Sequence, residues 1–251
     1  MHNDTDLGGP AAAFPATQFT VIAAATSPDP EVRERALATL ITAYWKPIYK
    51  YIRIKWKASN EDAKDWTQAF FTRMLEKKSF ARFDPAQARF RTFLRTCVDH
   101  FVTNERKSAG RIKRGGAVQL LSLDFDAAES EIRLLNRAGA ADPDEFFHQE
   151  WVRHLLGLAV EELRRQCQAS DKSVHFELFE RYDLEGPELQ KPLTYAELGE
   201  AFGLTATQVT NYLASVRRQL RALVLDVLRA STGDEEEFRR EAAQLLGGAR
   251  P

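Results

Sequence analysis

Apolar residues along this chain recur at intervals of three and four, the period of an α-helix with one buried face. In "SPDPEVRERALATLITAYWKPIYKYIRIKWKA" the stripe is Ala36, Leu37, Leu40, Ile41 and Tyr44. Ser27 or Asp29 is placed to cap that helix, Pro30 suits its first turn, and Pro47 allows a kink or a restart. In "SNEDAKDWTQAFFTRMLEKK" the stripe is Ala63, Trp66, Phe70 and Met74, behind a cap at Ser59 or Asn60. "SFARFDPAQA" reads as a loop broken by Asp84-Pro85. A third helix is predicted from near Ala88 to about Lys107, buried along Phe90, Phe93, Leu94, Cys97 and Phe101. Arg91, Arg95, Asn104, Arg106 and Lys107 lie off that stripe. The glycines of "SAGRIKRGGA" end the helix.

Residues 115–142 show little periodicity and are expected to form a mobile acidic linker. A second helical set follows. "DPDEFFHQEWVRHLLGLAVEELRRQC" places Phe147, Trp151, Leu155, Leu158, Ala159 and Leu163 on one face. "SVHFELFERYDL" is a shorter helix, and "DEEEFRREAAQLL" is a last amphipathic one with Phe238, Ala242 and Leu245 on one side. No strand pattern and no internal repeat stands out. The expected fold class is all-α, in two small helical lobes joined by the linker. The expected divisions are a disordered stretch at 1–17, a first domain at 18–114, the linker at 115–142, a second domain at 143–232 and a helical extension at 233–251.

Composition narrows the function classes. Among 251 residues, 44% are apolar and 28% charged, the balance of a globular protein. No run is long and apolar enough for a transmembrane helix, and "MHNDTDLGGPAAAF" lacks the marks of a signal peptide. The expected location is therefore the cytoplasm, with no membrane partner. Cys97 and Cys167 are far apart, which excludes a disulfide framework and a cysteine-rich zinc site. The net charge of -1 hides a gradient: residues 89–114 carry +6 and residues 124–150 carry -6. The basic stretch suggests a polyanion on one face. The two stretches together suggest that the acidic one masks the basic one.

The stretch from Leu193 to Leu220 has the order of a helix-turn-helix. Thr194 can cap a short helix holding Ala196, Leu198 and Phe202. Gly203 sits where the turn needs positive φ. Thr205 can cap a longer helix that buries Val209, Leu213, Val216 and Leu220. The other face would present Thr207, Gln208, Thr210, Asn211, Tyr212 and Ser215 to base edges, with Arg217, Arg218 and Arg221 toward phosphates.

Upstream, "YWKPIYKYIRIKWKASNEDAKDWTQAFFTRMLEKK", "FDPAQARFRTFLRTCVDHFVTNERK" and "SAGRIKRGG" together resemble region 2 of bacterial RNA polymerase sigma factors. The type is the small two-domain, extracytoplasmic-function kind of the sigma-70 family. The helix-turn-helix then resembles region 4, and "FPATQF" at residues 14–19 resembles the start of one subgroup. The resemblance covers most of the chain apart from the linker and the last helix. It implies promoter DNA and core RNA polymerase as partners, bound at the clamp helices and the flap. It implies that Glu61, Asp62, Asp65, Gln68 and Phe71 bind the polymerase. It implies that the -10 element is opened by capture of a flipped base near Phe80, Phe83, Asp84 and Gln87. Packing of those rings onto the helices is the alternative. Arg91, Arg95, Asn104, Arg106, Lys107, Arg111 and Lys113 would hold phosphates and base edges there. Thr207 to Arg218 would read the -35 element. No cofactor, metal or covalent chemistry is implied.

Departures from the family pattern bear on both interfaces. Lys64 and Ala69 stand where acids are frequent, leaving three acids in "EDAKDWTQAFF". Phosphorylation of Thr67 would restore negative charge. Thr210, Tyr212 and Ser215 stand where many relatives carry cations. An anti-sigma factor and a kinase are both open as regulators, and the last helix is placed to dock a regulator or the second lobe. A stand-alone helix-turn-helix repressor or activator is the alternative function. An enzyme is disfavoured, because the five histidines form no HxxxH pair and no glycine-rich phosphate loop exists.

Overall fold

The computed structural model describes residues 21–76, 79–108, 123–135, 142–186 and 193–247. The expected disorder at 1–17, "FPATQF", Arg111 and Lys113 lie outside the described residues. Among those described there is no strand. The helices are α1 (Val21–Ala24), α2 (Pro30–Lys55), α3 (Asn60–Glu76), α4 (Phe90–Ser108), α5 (Phe125–Leu135), α6 (Pro143–Ala169), α7 (Ser173–Phe179), α8 (Tyr195–Phe202), α9 (Ala206–Ala230) and α10 (Glu235–Leu245). A 3-10 turn, Ser79–Arg82, follows α3. No described helix is long and apolar enough to cross a membrane.

Helix α2 is the centre. Asp29 caps it by accepting from the Glu31 and Val32 amides, and Pro30 opens it. The helix runs through Pro47 without a restart. Over its second half it is buried nearly all round, from Tyr44 to Ile52. A helix with no wet face needs neighbours on every side. Here they are α3, α4, α5, α6 and α9.

The long helices α2, α6 and α9 pack together, so the two halves share one apolar core running from Ile22 to Phe238. Tyr44 of α2 stacks on Trp151 of α6 with ring centroids 6.3 Å apart and meets Phe90 of α4 edge-on at 5.5 Å. Tyr51 meets Phe147 at 5.4 Å. The two expected lobes are thus packed on one another, with α6 lying directly on α2.

The expectation of a mobile linker at 115–142 is corrected at residues 125–135, which form α5; 115–122 and 136–141 lie outside the described residues. Phe125, Ala128 and Ile132 are its buried face. Its acids answer the cations of α2. Glu129 takes a two-pronged contact from Arg53 at 2.6 and 2.9 Å. Glu131 takes Lys46 at 2.7 Å and Lys50 at 2.6 Å. Glu129, Glu131 and Glu150 thus meet cations of α2 and not the basic stretch after Arg89. Asp144 is the exception, 2.9 Å from Arg95.

His154 gives the fold a measurable pH response. Its Nε2 lies 2.7 Å from the Thr42 carbonyl, and its ring meets Trp45 edge-on at 6.2 Å. Burial pushes the imidazole down to about 4. The unfolded chain therefore takes up this proton first. The contribution is complete above the ordinary histidine value and is lost as pH falls toward 4, a change on the order of 2 kcal/mol. Urea unfolding at pH 7 and again at mild acid should show a smaller loss for His154→Phe than for the parent. Equal losses would remove His154 as the source.

Candidate polymerase and nucleic-acid interfaces

The helix-turn-helix is built by caps. Thr194 Oγ1 accepts the Glu197 amide at 3.2 Å, and Glu197 returns the bond to the Thr194 amide at 2.8 Å. Gly203 ends α8 with φ 65°. The Leu204 amide donates to the Gly199 carbonyl at 2.7 Å. Thr205 and Gln208 form a second reciprocal box at the start of α9, at 3.2 and 2.9 Å. Val209, Leu213 and Val216 are buried. Two capping boxes on either side of a left-handed glycine fix the angle between α8 and α9 locally.

The outer face of α9 is narrower than expected. Thr207, Thr210, Asn211 and Arg218 are exposed. Thr210 spends its hydroxyl proton on the Ala206 carbonyl at 2.9 Å. Gln208 is exposed, but its Oε1 is engaged by Thr205. A bidentate contact to adenine would break that cap. Tyr212 is half-buried, stacked on His175 at 3.8 Å and 16°. Ser215 is half-buried. Arg217 forks onto Asp183 at 2.8 and 3.1 Å, which raises its pKa, and its guanidinium lies 5.6 Å from the Tyr182 ring. Arg218 and Arg221 are exposed and enter no ion pair among the described residues.

Helix α3 carries the acids expected at the polymerase. Ser59 Oγ accepts the Asp62 amide at 3.0 Å and starts the helix. Glu61, Asp62 and Asp65 are exposed and Gln68 is half-buried. Phe71 is 1% exposed, with its ring 5.3 Å from Phe70, so it belongs to the core and not to that surface. The buried arc is Ala63, Thr67, Phe70, Phe71 and Met74, wider than a single stripe. Thr67 is fully buried and donates to the Ala63 carbonyl at 2.7 Å. A kinase cannot reach it in this conformation. Lys64 lies 3.6 Å from both Glu61 and Asp126.

The loop before α4 packs inward. Phe80 is 3% exposed, 6.3 Å from the Phe90 ring. Phe83 lies 5.1 Å from Phe90 and 5.5 Å from Phe93. Both rings join an aromatic cluster; Phe80 is buried in it and Phe83 is half-buried, so packing takes up much of what a stacked base would need. Asp84 and Gln87 are exposed but bond each other at 2.8 Å. On α4, Arg95 lies 2.9 Å from Asp144 and 3.3 Å from Asp99. Arg91 pairs with Glu241 of α10, and its guanidinium lies 5.2 Å from the Trp151 ring. The expectation that these arginines face DNA does not hold here, because α6 and α10 cover them. Asn104, Arg106 and Lys107 are exposed. Arg106 packs over Trp56 at 5.2 Å and donates to its carbonyl.

Two features escaped sequence reasoning. One is Lys50, 1% exposed, whose Nζ lies 2.6 Å from Glu131 and 2.5 Å from Glu150. The signal was Lys46, Lys50 and Arg53 on one side of α2, a row of cations needing acids. The other is Gly199, where an added Cβ would lie 2.5 Å from the Leu204 carbonyl oxygen. Among the described residues no cluster of His, Cys, Asp or Glu has the arrangement of a metal site. No family model matches the chain, and no curated protein or solved structure matches it. The class defined so far is an all-helical protein with a capped helix-turn-helix and a separate acidic helix face.

Proposed function

We propose that the chain is a sigma factor, binding core RNA polymerase and directing promoter recognition and transcription initiation. The observation that carries this reading is the helix-turn-helix, with Thr207, Asn211 and Arg218 exposed on α9. Asn211 offers the paired donor and acceptor that match adenine, and Arg218 and Arg221 lie farther along for phosphates. Support also comes from Glu61, Asp62 and Asp65, a compact acidic surface away from α9 on the helix that the resemblance assigns to the polymerase. The -35 element falls to α9. The -10 element falls to α4 and its preceding loop, once their arginines are uncovered. Asn104, Arg106 and Lys107 remain on the surface for that role.

Polymerase binding tests the acidic face. A triple variant, Glu61→Gln, Asp62→Asn and Asp65→Asn, should bind core polymerase roughly tenfold more weakly at low salt. The difference should shrink as salt screens it. Unchanged affinity would sink the assignment of that face.

A second reading draws on the covering of Arg91 and Arg95. A stand-alone helix-turn-helix regulator needs only the face that is already exposed. Such a protein would bind a specific duplex tightly without polymerase. A sigma factor in this covered state should bind duplex weakly alone.

A further inference from the structure

The C-terminal helix is seated on the residues that the promoter reading needs. Glu237 is 3% exposed, and its Oε1 accepts the Phe90 amide at 2.9 Å, at the first residue of α4. Glu241 is 2% exposed, 2.8 Å from Arg89 and paired also with Arg91. The turn before α10 adds to this. The Tyr44 hydroxyl donates to the Ser231 carbonyl at 2.6 Å. Gly233 lies so near the Phe83 ring that an added Cβ would stand 2.4 Å from it.

Two guanidiniums and an N–H at a helix start form the usual surroundings of a phosphate. Here carboxylates occupy them. We propose that α10 is a built-in competitor, whose carboxylates hold a phosphate-binding site made by Arg89, Arg91 and the start of α4, and that a nucleic-acid backbone takes this site when α10 leaves. The proposal rests on the promoter reading, and it names how the -10 half of that site is regulated.

Three further observations suit an occupant that leaves. Burial pushes the Glu237 carboxyl up, so holding it there as an anion is costly. Arg91 Nη1 pairs with Glu241 by charge but makes no directed hydrogen bond, which leaves donor capacity unused. A cavity of about 430 Å³ lies between α10 and helices α6 and α9, lined in part by Trp151, Leu228 and Leu245. A helix flanked on one side by such an open groove gives up fewer contacts on opening than one enclosed on every side.

The test measures anisotropy of a labelled, mixed-sequence single-stranded DNA against the full chain at low salt. Glu241→Gln keeps the shape and removes the charge. It should bind roughly tenfold more tightly than the parent. Adding Arg91→Gln to that variant should return the affinity to the parent level. In the parent protein, hydrogen exchange at amides 235–245 should speed up when the DNA is added. That second measurement decides even where a variant folds poorly. Equal binding by parent and Glu241→Gln, with exchange in α10 unchanged, would overturn the proposal, as would tight binding that survives loss of Arg91. Run-off transcription with core polymerase separates the two ideas. Transcription with no effect at Glu241 defeats the competitor alone. Tighter DNA binding with no transcription defeats the sigma reading and leaves the competitor standing.

Discussion

Lys50→Met should lower the unfolding free energy by about 3–5 kcal/mol, the range seen when one member of a buried ion pair is removed. The ammonium is 1% exposed, between Glu131 at 2.6 Å and Glu150 at 2.5 Å. Burial lowers the Lys50 pKa, while Glu131 opposes the shift. Glu131 is 38% exposed and keeps Lys46, so it tolerates the loss. Glu150 is 2% exposed and keeps only Arg153 of the cations named around it. The main cost is therefore an under-compensated carboxylate inside the core. The double variant Lys50→Met with Glu150→Leu should recover most of the stability, because an apolar pair of similar size replaces a costly buried one. Urea titrations of the parent, both single variants and the double variant measure this coupling. A loss below about 1 kcal/mol for Lys50→Met would mean the pair is wet in solution. The contact of α2 with α5 and α6 would then be looser than described.

Gly199→Ala should cost ~3 kcal/mol, near the top of the range for overpacking. The new Cβ would meet the Leu204 carbonyl oxygen at 2.5 Å, a backbone atom that cannot rotate away. Only movement of α8 against the turn relieves the clash. That movement breaks the 2.7 Å bond from the Leu204 amide to the Gly199 carbonyl and tilts α9 relative to α8. Duplex DNA binding by the polymerase complex should fall with the stability. Gly203→Ala is the control. There no atom lies within 4 Å of the added Cβ, and the cost is only that of φ 65°. It should lose about 1 kcal/mol and keep most DNA binding. A thermal melt beside an electrophoretic mobility assay separates the two effects. If Gly199→Ala binds as the parent does, the close passage of α8 over the turn does not set the recognition angle.

What the sequence could and could not convey follows from the range of each interaction. The caps at Asp29, Thr194 and Thr205 and the turn at Gly203 are local, and each was legible in a few residues. The stripe through Phe90 and Leu94 was legible because a helix repeats its buried face. Helix α5 does not stand out in the sequence, since Phe125, Ala128 and Ile132, the buried apolar residues among those described, are interrupted by Asp126, Glu129 and Glu131. Those charges become intelligible only beside Lys46, Lys50 and Arg53 of a distant helix. Arg91 and Arg95 were correctly placed off the first stripe of α4. Periodicity does not reveal a second set of neighbours, and α6 and α10 supply one. Phe71 failed for the opposite reason. Periodicity marks a single stripe on α3, while burial extends over a wider arc that includes Thr67.

The covered arginines and the exposed face of α9 describe one molecule in a resting arrangement. On the proposed reading, the face for duplex DNA is presented, while the face assigned to the -10 element is held by internal carboxylates. Run-off transcription with purified core polymerase on genomic fragments, followed by mapping of the starts, tests this account most directly. The expected result is a discrete set of starts that needs both the protein and the polymerase and that is lost with Asn211→Ala. Absence of any protein-dependent start, together with tight protection of specific duplex sites by the protein alone, would contradict it.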